Sequence, residues 1–97
     1  MPIYMLATRL QNPGLVEKRK ETGEKWLKVV KEKLPDVKWI AHYAILGPYD
    51  FIDIFEATNE QEAAKVSLLS RARGAAFAES WTAIPYKDFL GLIKELD

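Results

Sequence analysis

The sequence contains no cysteine, which excludes disulfide bonds, a thiolate nucleophile and zinc sites built on cysteine. Basic and acidic residues number 14 each, so the chain has no net charge that would attract nucleic acid or an anionic membrane. It also lacks an apolar run long enough to span a bilayer, and its first ten residues lack the basic start of a signal peptide. We therefore expect a cytoplasmic protein that binds neither nucleic acid nor membranes.

The motifs of several enzyme classes are missing as well. There is no glycine-rich phosphate loop and no Ser-His-Asp spacing. Because the chain has one histidine, a metal site would need Asp53, Glu79 and a partner subunit together. We predict neither a metal ion nor a cofactor.

Apolar runs and amphipathic segments alternate in the order β-α-β-β-α-β, followed by a short C-terminal helix. The four predicted strands cover residues 2–9, 37–46, 51–57 and 75–84. Because crossover connections are right-handed, strands one and three lie in the centre and the sheet order is 4-1-3-2. Both longer helices then cover one face, which gives a ferredoxin-like α+β fold over a single domain, residues 1–97.

Local signals mark the ends of the two longer helices. Pro13–Gly14 breaks the chain after strand one, and Thr22 is a candidate N-cap for the first helix. Asn59, with Glu62 three residues later, predicts a capping box at the start of the second helix. Gly74 is suited to the C′ position after that helix.

The predicted sheet is apolar on both sides. An antiparallel sheet with one wet face alternates between polar and apolar residues, and strands two, three and four do not. A domain of this size also buries only about two-thirds of its unfolded surface. We therefore predict a homodimer, or a higher oligomer of dimers, that covers the sheet face away from the helices.

The stretch "LGPYD" followed by "FIDIFEA", after a strand ending "AHYAI", resembles the GYD-domain family. The opening "MPIYM", Gly14 before the first helix and Glu79 in strand four extend the resemblance over nearly the whole chain. The family resembles the dimeric α/β barrel group, which includes effector-binding modules of Lrp/AsnC regulators, cofactor-independent monooxygenases and isomerases. The chain departs from the pattern at Pro48 and Asp53, and it has no room for a helix-turn-helix.

The turn Gly47-Pro48-Tyr49-Asp50 has a structural interpretation. Pro48 presets its own φ, Gly47 tolerates an unusual backbone conformation, and the Asp50 carboxylate can accept hydrogen bonds from nearby backbone N–H groups. We expect the Tyr49 ring to pack on the end of the sheet. Direct contact of this turn with a ligand is the alternative.

His42 and Asp53 form the best candidate catalytic pair. A four-residue loop over residues 47–50 would pair Leu46 with Phe51 and set His42 diagonal to Asp53 on the same face. Such a pair is either an oriented general base or a structural salt bridge. In the structural case, replacing Asp53 alone would leave a buried histidine without its partner.

Glu79, Tyr43 and Tyr4 are candidate ligand-binding residues, and packing roles for the two tyrosines are the alternative. Three functions remain open at this point. The chain is a small-ligand-binding or regulatory module, a cofactor-independent enzyme of the monooxygenase or isomerase type with a hydrophobic pocket, or a purely structural oligomerisation domain.

Overall fold

The computed structural model describes residues 1–11 and 19–97 of the chain. Its elements are β1 (Ile3–Leu10), α1 (Arg19–Lys33), β2 (Lys38–Ala44), β3 (Phe51–Glu56), α2 (Glu60–Ala72), β4 (Ala75–Ala83) and α3 (Tyr86–Glu95). The four strands pair antiparallel in the order β2-β3-β1-β4. The predicted ferredoxin-like strand order, with strands one and three in the centre, is confirmed.

The signals at the ends of α2 act largely as predicted. The Asn59 side chain accepts a hydrogen bond from the Glu62 N–H at 3.0 Å, so Asn59 is the N-cap. The Glu62 carboxylate binds Lys65 instead of returning to Asn59, so the capping box is only half formed. Gly74 follows the C-cap with φ of 104°, a left-handed conformation that favours glycine.

The predicted N-cap of α1 at Thr22 is wrong. Thr22 lies inside α1, because the helix already includes Arg19. A backbone N–H at Thr22 can therefore join the helical hydrogen bonds, and no cap is needed at that position. The predicted chain break at Pro13–Gly14 lies outside the described residues.

The core lies between the sheet and the two longer helices. Phe55 is fully buried at its centre, with its ring stacked on Tyr4 at 5.7 Å and on Trp39 at 5.6 Å. Trp26 of α1 meets Trp39 edge-on. The remaining buried apolar side chains of this cluster are Leu6, Leu34, Ala57, Ala63, Val66, Ala75 and Ala78.

A register shift in β2 changes which residues share a face. Trp39 pairs with Phe55 and Ala41 with Ile54, so Ile40 is an extra residue between two paired positions. Trp39 therefore faces the core, not the side of Tyr43 as simple alternation along the strand predicts. The bulge leaves the Ile40 side chain about half exposed.

The sheet face opposite α1 and α2 is called the open face. Its residues, assigned from the strand pairing, are Ile3, Met5, Ala7, Arg9, Lys38, Ala41, Tyr43, Ile52, Ile54, Glu56, Phe77, Glu79, Trp81 and Ala83. Most are apolar, which agrees with the prediction of a sheet that is apolar on both sides. The helix α3 packs on no other element of the described chain and has no buried residue.

Candidate functional site

The β2–β3 turn is closed one residue earlier than predicted. The Ile45 N–H donates to the Asp50 carbonyl at 2.9 Å, so the four loop residues are Leu46–Tyr49. As a result His42 lies directly opposite Asp53, and the predicted Leu46–Phe51 pair is wrong. The observed pairing differs from the predicted pairing by two residues, one on each strand. Because side chains alternate between faces, a shift by an even number leaves His42 and Asp53 on the common face that was predicted.

Three backbone and side-chain contacts anchor this turn to β1. The Asp50 carboxylate accepts a hydrogen bond from the Leu10 N–H at 2.7 Å, and the Asp50 N–H donates to the Thr8 carbonyl at 2.9 Å. Arg9 Nε donates to the Pro48 carbonyl at 2.9 Å. The predicted binding of a backbone N–H by Asp50 is therefore present.

The Tyr49 ring packs on β4 across the open face. It stacks on Phe77 at 5.7 Å and meets Trp81 edge-on at 5.5 Å. The Arg9 guanidinium lies 5.6 Å from the Tyr49 ring centre and 5.5 Å from that of Phe77. The side chains of the turn thus contact two strands, β1 and β4.

Gly47 does not have the conformation that the sequence predicts. Its φ is not positive, and an added Cβ would meet only the Ile45 side chain, at an ordinary 3.6 Å. Because the loop spans Leu46–Tyr49, the sharp change of direction does not depend on Gly47 alone. A glycine is therefore not sterically required there.

His42 and Asp53 are in side-chain contact on the helix-covered face. His42 Nδ1 and Asp53 Oδ1 form the contact, and the imidazole also stacks on Phe51 at 5.2 Å. Asp53 is buried with 3% of its side chain exposed, whereas the figure for His42 is 46%. The pair therefore has a buried carboxylate and a solvent-exposed imidazole, in which Nδ1 is the bound nitrogen.

Burial raises the pKa of Asp53, and the hydrogen bond and the charge of His42 oppose that rise. The exposure difference also corrects one expectation. Replacing Asp53 would not leave a buried histidine without a partner, because His42 reaches water. The group that would be buried without a partner is the Asp53 carboxylate, if His42 were replaced.

The other candidate residues do not converge on this pair. Glu79 lies on the open face and accepts a hydrogen bond from Trp81 Nε1 at 2.8 Å. Tyr43 is 56% exposed on the same face. Tyr4 is buried and stacks on Phe55, so its ring is part of the core, on the other face.

A groove of about 490 Å³ lies between α2 and the outer edge of β4 and is called the edge groove. Its lining residues are Tyr4, Glu60, Ala63, Ala64, Ser67, Leu68, Arg71, Ala78, Glu79, Ser80, Trp81 and Thr82. At its base Ser80 Oγ donates to the Ala63 carbonyl at 2.8 Å, and the Ser67 and Ser80 hydroxyls lie 2.6 Å apart. Of these lining residues, only Tyr4 and Glu79 were predicted from the sequence as candidate binding residues. The predicted position of strand four at the edge of the sheet was the feature of the sequence that could have indicated a groove there.

Residues 1–11 and 19–97 contain neither a cluster placed to bind a metal ion nor a helix that could cross a membrane. No group of three or more His, Asp or Glu residues there is placed to hold a metal ion. No helix in that part of the chain is both long and apolar enough to cross a bilayer.

The fold and the turn together define a ferredoxin-like α+β protein with an anchored Gly-Pro-Tyr-Asp hairpin. The GYD domain matches residues 4–93, and the chain belongs to the GYD-domain family. A relative from Thermus thermophilus is 31% identical over 96 residues. That alignment covers 97% of this chain and 100% of the relative, which is named "Glutamine synthetase and cystathionine beta-lyase binding protein". No solved structure matches the chain.

Proposed function

We propose that this protein is a self-associating binding protein that regulates metabolic enzymes by contacting them directly. The end-to-end similarity to the Thermus thermophilus relative supports glutamine synthetase and cystathionine β-lyase as the first partners to test. The observation that carries the proposal is α3, an amphipathic helix without any buried residue. Its apolar side chains, which are 44–87% exposed, are Tyr86, Phe89, Leu90, Leu92, Ile93 and Leu96.

An exposed apolar stripe of this kind indicates an interaction surface. The stripe lies on one side of α3, whereas Lys87 and Lys94 lie on the other. Because α3 packs on no other element of residues 1–11 and 19–97, we propose that a second molecule buries the stripe. We propose that a second copy covers the open face and this helix, giving a homodimer of the dimeric α/β barrel type or an oligomer of such dimers.

Proteins are proposed as the regulated partners instead of small ligands because the three candidate ligand-binding residues do not all line one cavity. Tyr4, whose ring stacks in the core, and Glu79 both line the edge groove, whereas Tyr43 lies on the open face outside it. The turn residues Tyr49 and Asp50 are used in contacts within the chain. A small-molecule pocket would need several polar groups that converge on one cavity.

The test combines sedimentation with a binding titration. We expect the wild-type chain to sediment as a dimer or larger at micromolar concentration and to bind purified glutamine synthetase or cystathionine β-lyase. Ile93→Asp should weaken self-association at least tenfold, because it places a charge in the apolar stripe. Lys94→Gln, on the polar side of α3, makes the same change in charge and should leave self-association unchanged.

A wild-type monomer would contradict the self-association. A wild-type oligomer that binds neither enzyme would instead indicate a purely structural oligomerisation domain. Equal sedimentation of the Ile93→Asp and Lys94→Gln variants would show that α3 is not part of the interface.

The His42–Asp53 pair favours a second candidate function, a cofactor-independent enzyme that uses His42 as a general base. A buried carboxylate that holds one imidazole nitrogen and leaves the ring accessible to solvent is the arrangement that orients a catalytic histidine. The test for the monooxygenase type is oxygen uptake with electron-rich phenols as substrates. The enzyme would lose this activity in His42→Gln, and a wild-type rate equal to that of heat-denatured protein would reject it.

A further inference from the structure

The outer edge of β4 is unpaired within residues 1–11 and 19–97, because β4 is the last strand of the sheet order. The helix α2 packs on β4 and forms the second wall of the edge groove. Unpaired strand edges present a row of backbone N–H and C=O groups to any chain that can extend beside them. The edge groove therefore contains hydrogen-bonding groups as well as apolar walls.

The hydrogen-bond pattern identifies which backbone groups of β4 face this groove. In an antiparallel strand the N–H and C=O of one residue point to the same side, and successive residues alternate. The Thr8 carbonyl bonds to Asp50 on the β3 side, so its neighbour Arg9 bonds toward β4. The backbone N–H and C=O of Phe77, which lies opposite Arg9, therefore point toward β1.

By the same alternation, Ala78, Ser80 and Thr82 direct their backbone groups outward into the edge groove. One contact supports this assignment independently. Arg71 Nε, on α2, donates to the Ala78 carbonyl at 3.0 Å. Arg71 thereby covers the edge at Ala78, and the backbone groups of Ser80 and Thr82 stay available beyond it.

The lining of the edge groove shows that it runs along the strand edge. Ser80 and Thr82 lie on the helix-covered face of the sheet, whereas Glu79 and Trp81 lie on the open face. All four line the same groove. A groove reaches side chains of both faces only when it runs beside the edge, where an added strand would lie.

We propose that the edge groove binds an extended segment of the partner enzyme, which adds a strand to β4 at Ser80 and Thr82. The inference rests on the proposed function, for which it names the binding surface. An extended chain fits because its free backbone groups can pair with those of β4, whereas a helix has already paired its own.

The side chains of the edge groove specify the segment further. Leu68 is 62% exposed on the α2 wall, so an apolar side chain of the segment that points to the helix-covered face packs against it, and one that points to the open face packs against Trp81. Glu60 and Glu79 supply carboxylates along the groove, and Arg71 closes one end. The segment therefore carries one basic residue near Glu60 on the helix side and another near Glu79 on the open-face side, and it ends at Arg71.

The decisive variant is Thr82→Pro, which removes an outward N–H without removing a hydrogen bond to β1. Thr82→Val changes the side chain and keeps that N–H, so it is the matched control. With purified glutamine synthetase and cystathionine β-lyase as probes, we expect Thr82→Pro to raise Kd at least tenfold. Thr82→Val should stay within twofold of wild type.

A second measurement needs no variant and so does not depend on Thr82→Pro folding correctly. In the unbound protein, amide exchange should be fast at Ser80 and Thr82 and slow at Glu79 and Trp81. Binding of either enzyme should slow exchange at Ser80 and Thr82 specifically. Fast exchange at both amides in the complex would overturn the proposal.

The remaining outcomes separate the two proposals. Wild-type binding that Thr82→Pro leaves intact overturns the edge-groove site alone. A wild-type chain that binds neither enzyme overturns the proposed function and this inference together. Dissociation of the oligomer by Thr82→Pro, with Thr82→Val still associated, would identify a second copy as the occupant and overturn the assignment to an enzyme segment.

Discussion

Replacing His42 with leucine leaves the Asp53 carboxylate buried without the imidazole that holds it. The leucine keeps an apolar group on Phe51, so the main change is the loss of the polar partner. The two members of the pair differ in burial, because only 3% of the Asp53 side chain is exposed, whereas 46% of the His42 side chain is exposed. The cost of breaking the contact therefore falls mainly on Asp53.

The size of this cost has an upper bound, because the carboxyl can take up a proton. A pH of 7 is about three units above the ordinary carboxyl pKa of 3.8. Each pH unit corresponds to about 1.36 kcal/mol of free energy for protonating the carboxylate. Protonation therefore limits the loss of stability in His42→Leu to about 4 kcal/mol at pH 7. We expect a loss of about 2–4 kcal/mol, in the range measured for buried polar groups that lose a partner.

The loss should depend on pH with a defined sign. Burial raises the pKa of Asp53, so the folded protein holds this proton more tightly than the unfolded chain. A carboxyl whose pKa is raised by folding lowers the stability of the protein as the pH rises above the pKa of that carboxyl in the unfolded chain. The difference between wild type and His42→Leu should therefore be small near pH 4 and largest near pH 7.

Denaturant unfolding at several pH values between 4 and 7 measures these differences. Asp53→Asn is the matched control, because its amide oxygen can still accept a hydrogen bond from Nδ1 and no charge is buried. We expect Asp53→Asn to change stability at pH 7 by only about 1 kcal/mol. The reasoning is refuted if Asp53→Asn costs more than His42→Leu, or if the cost of His42→Leu is the same at pH 4 and pH 7.

Three further predictions concern stability. Gly74→Ala should destabilise the protein by about 1 kcal/mol because its φ is 104°, whereas Gly47→Ala should be neutral within about 0.5 kcal/mol; equal melting temperatures for the two variants would contradict this. Asp50→Ala should cost about 1–2 kcal/mol and speed amide exchange at Leu10, and unchanged exchange at that amide would show that the hydrogen bond is unimportant. Phe55→Ala should cost about 3–5 kcal/mol in denaturant unfolding, and a loss below about 2 kcal/mol would mean that the core collapses into the space.

Secondary structure and strand order could be predicted because their signals are local or follow from general topology. Asn59 caps α2 through a hydrogen bond to a residue three positions away, and Gly74 ends it through its own φ. The strand order followed from the handedness of crossovers once four strands and two helices were recognised. Neither inference required knowledge of distant contacts.

The common face of His42 and Asp53 was predicted from the alternation of side chains along a strand. That prediction still holds when the register is wrong by an even number of residues. His42 and Asp53 share a face whether the loop is residues 47–50 or Leu46–Tyr49, because the pairing changes by an even number. The assignment of Trp39 failed because the bulge at Ile40 shifts the alternation by one residue. Nothing in the local sequence marks such an extra residue, since its position depends on how Trp39 packs against Phe55 and Trp26.

The sequence by itself determined the elements, the order of the strands, the apolar character of both sheet faces and the common face of His42 and Asp53. The tertiary structure alone decided that Asp53 is the buried member of that pair, that the turn is anchored by Arg9, and that α2 and β4 form the edge groove. Burial and groove shape depend on residues far apart in the chain. The Arg9–Pro48 bond, for example, joins positions 39 residues apart, and only the packed fold brings such residues together.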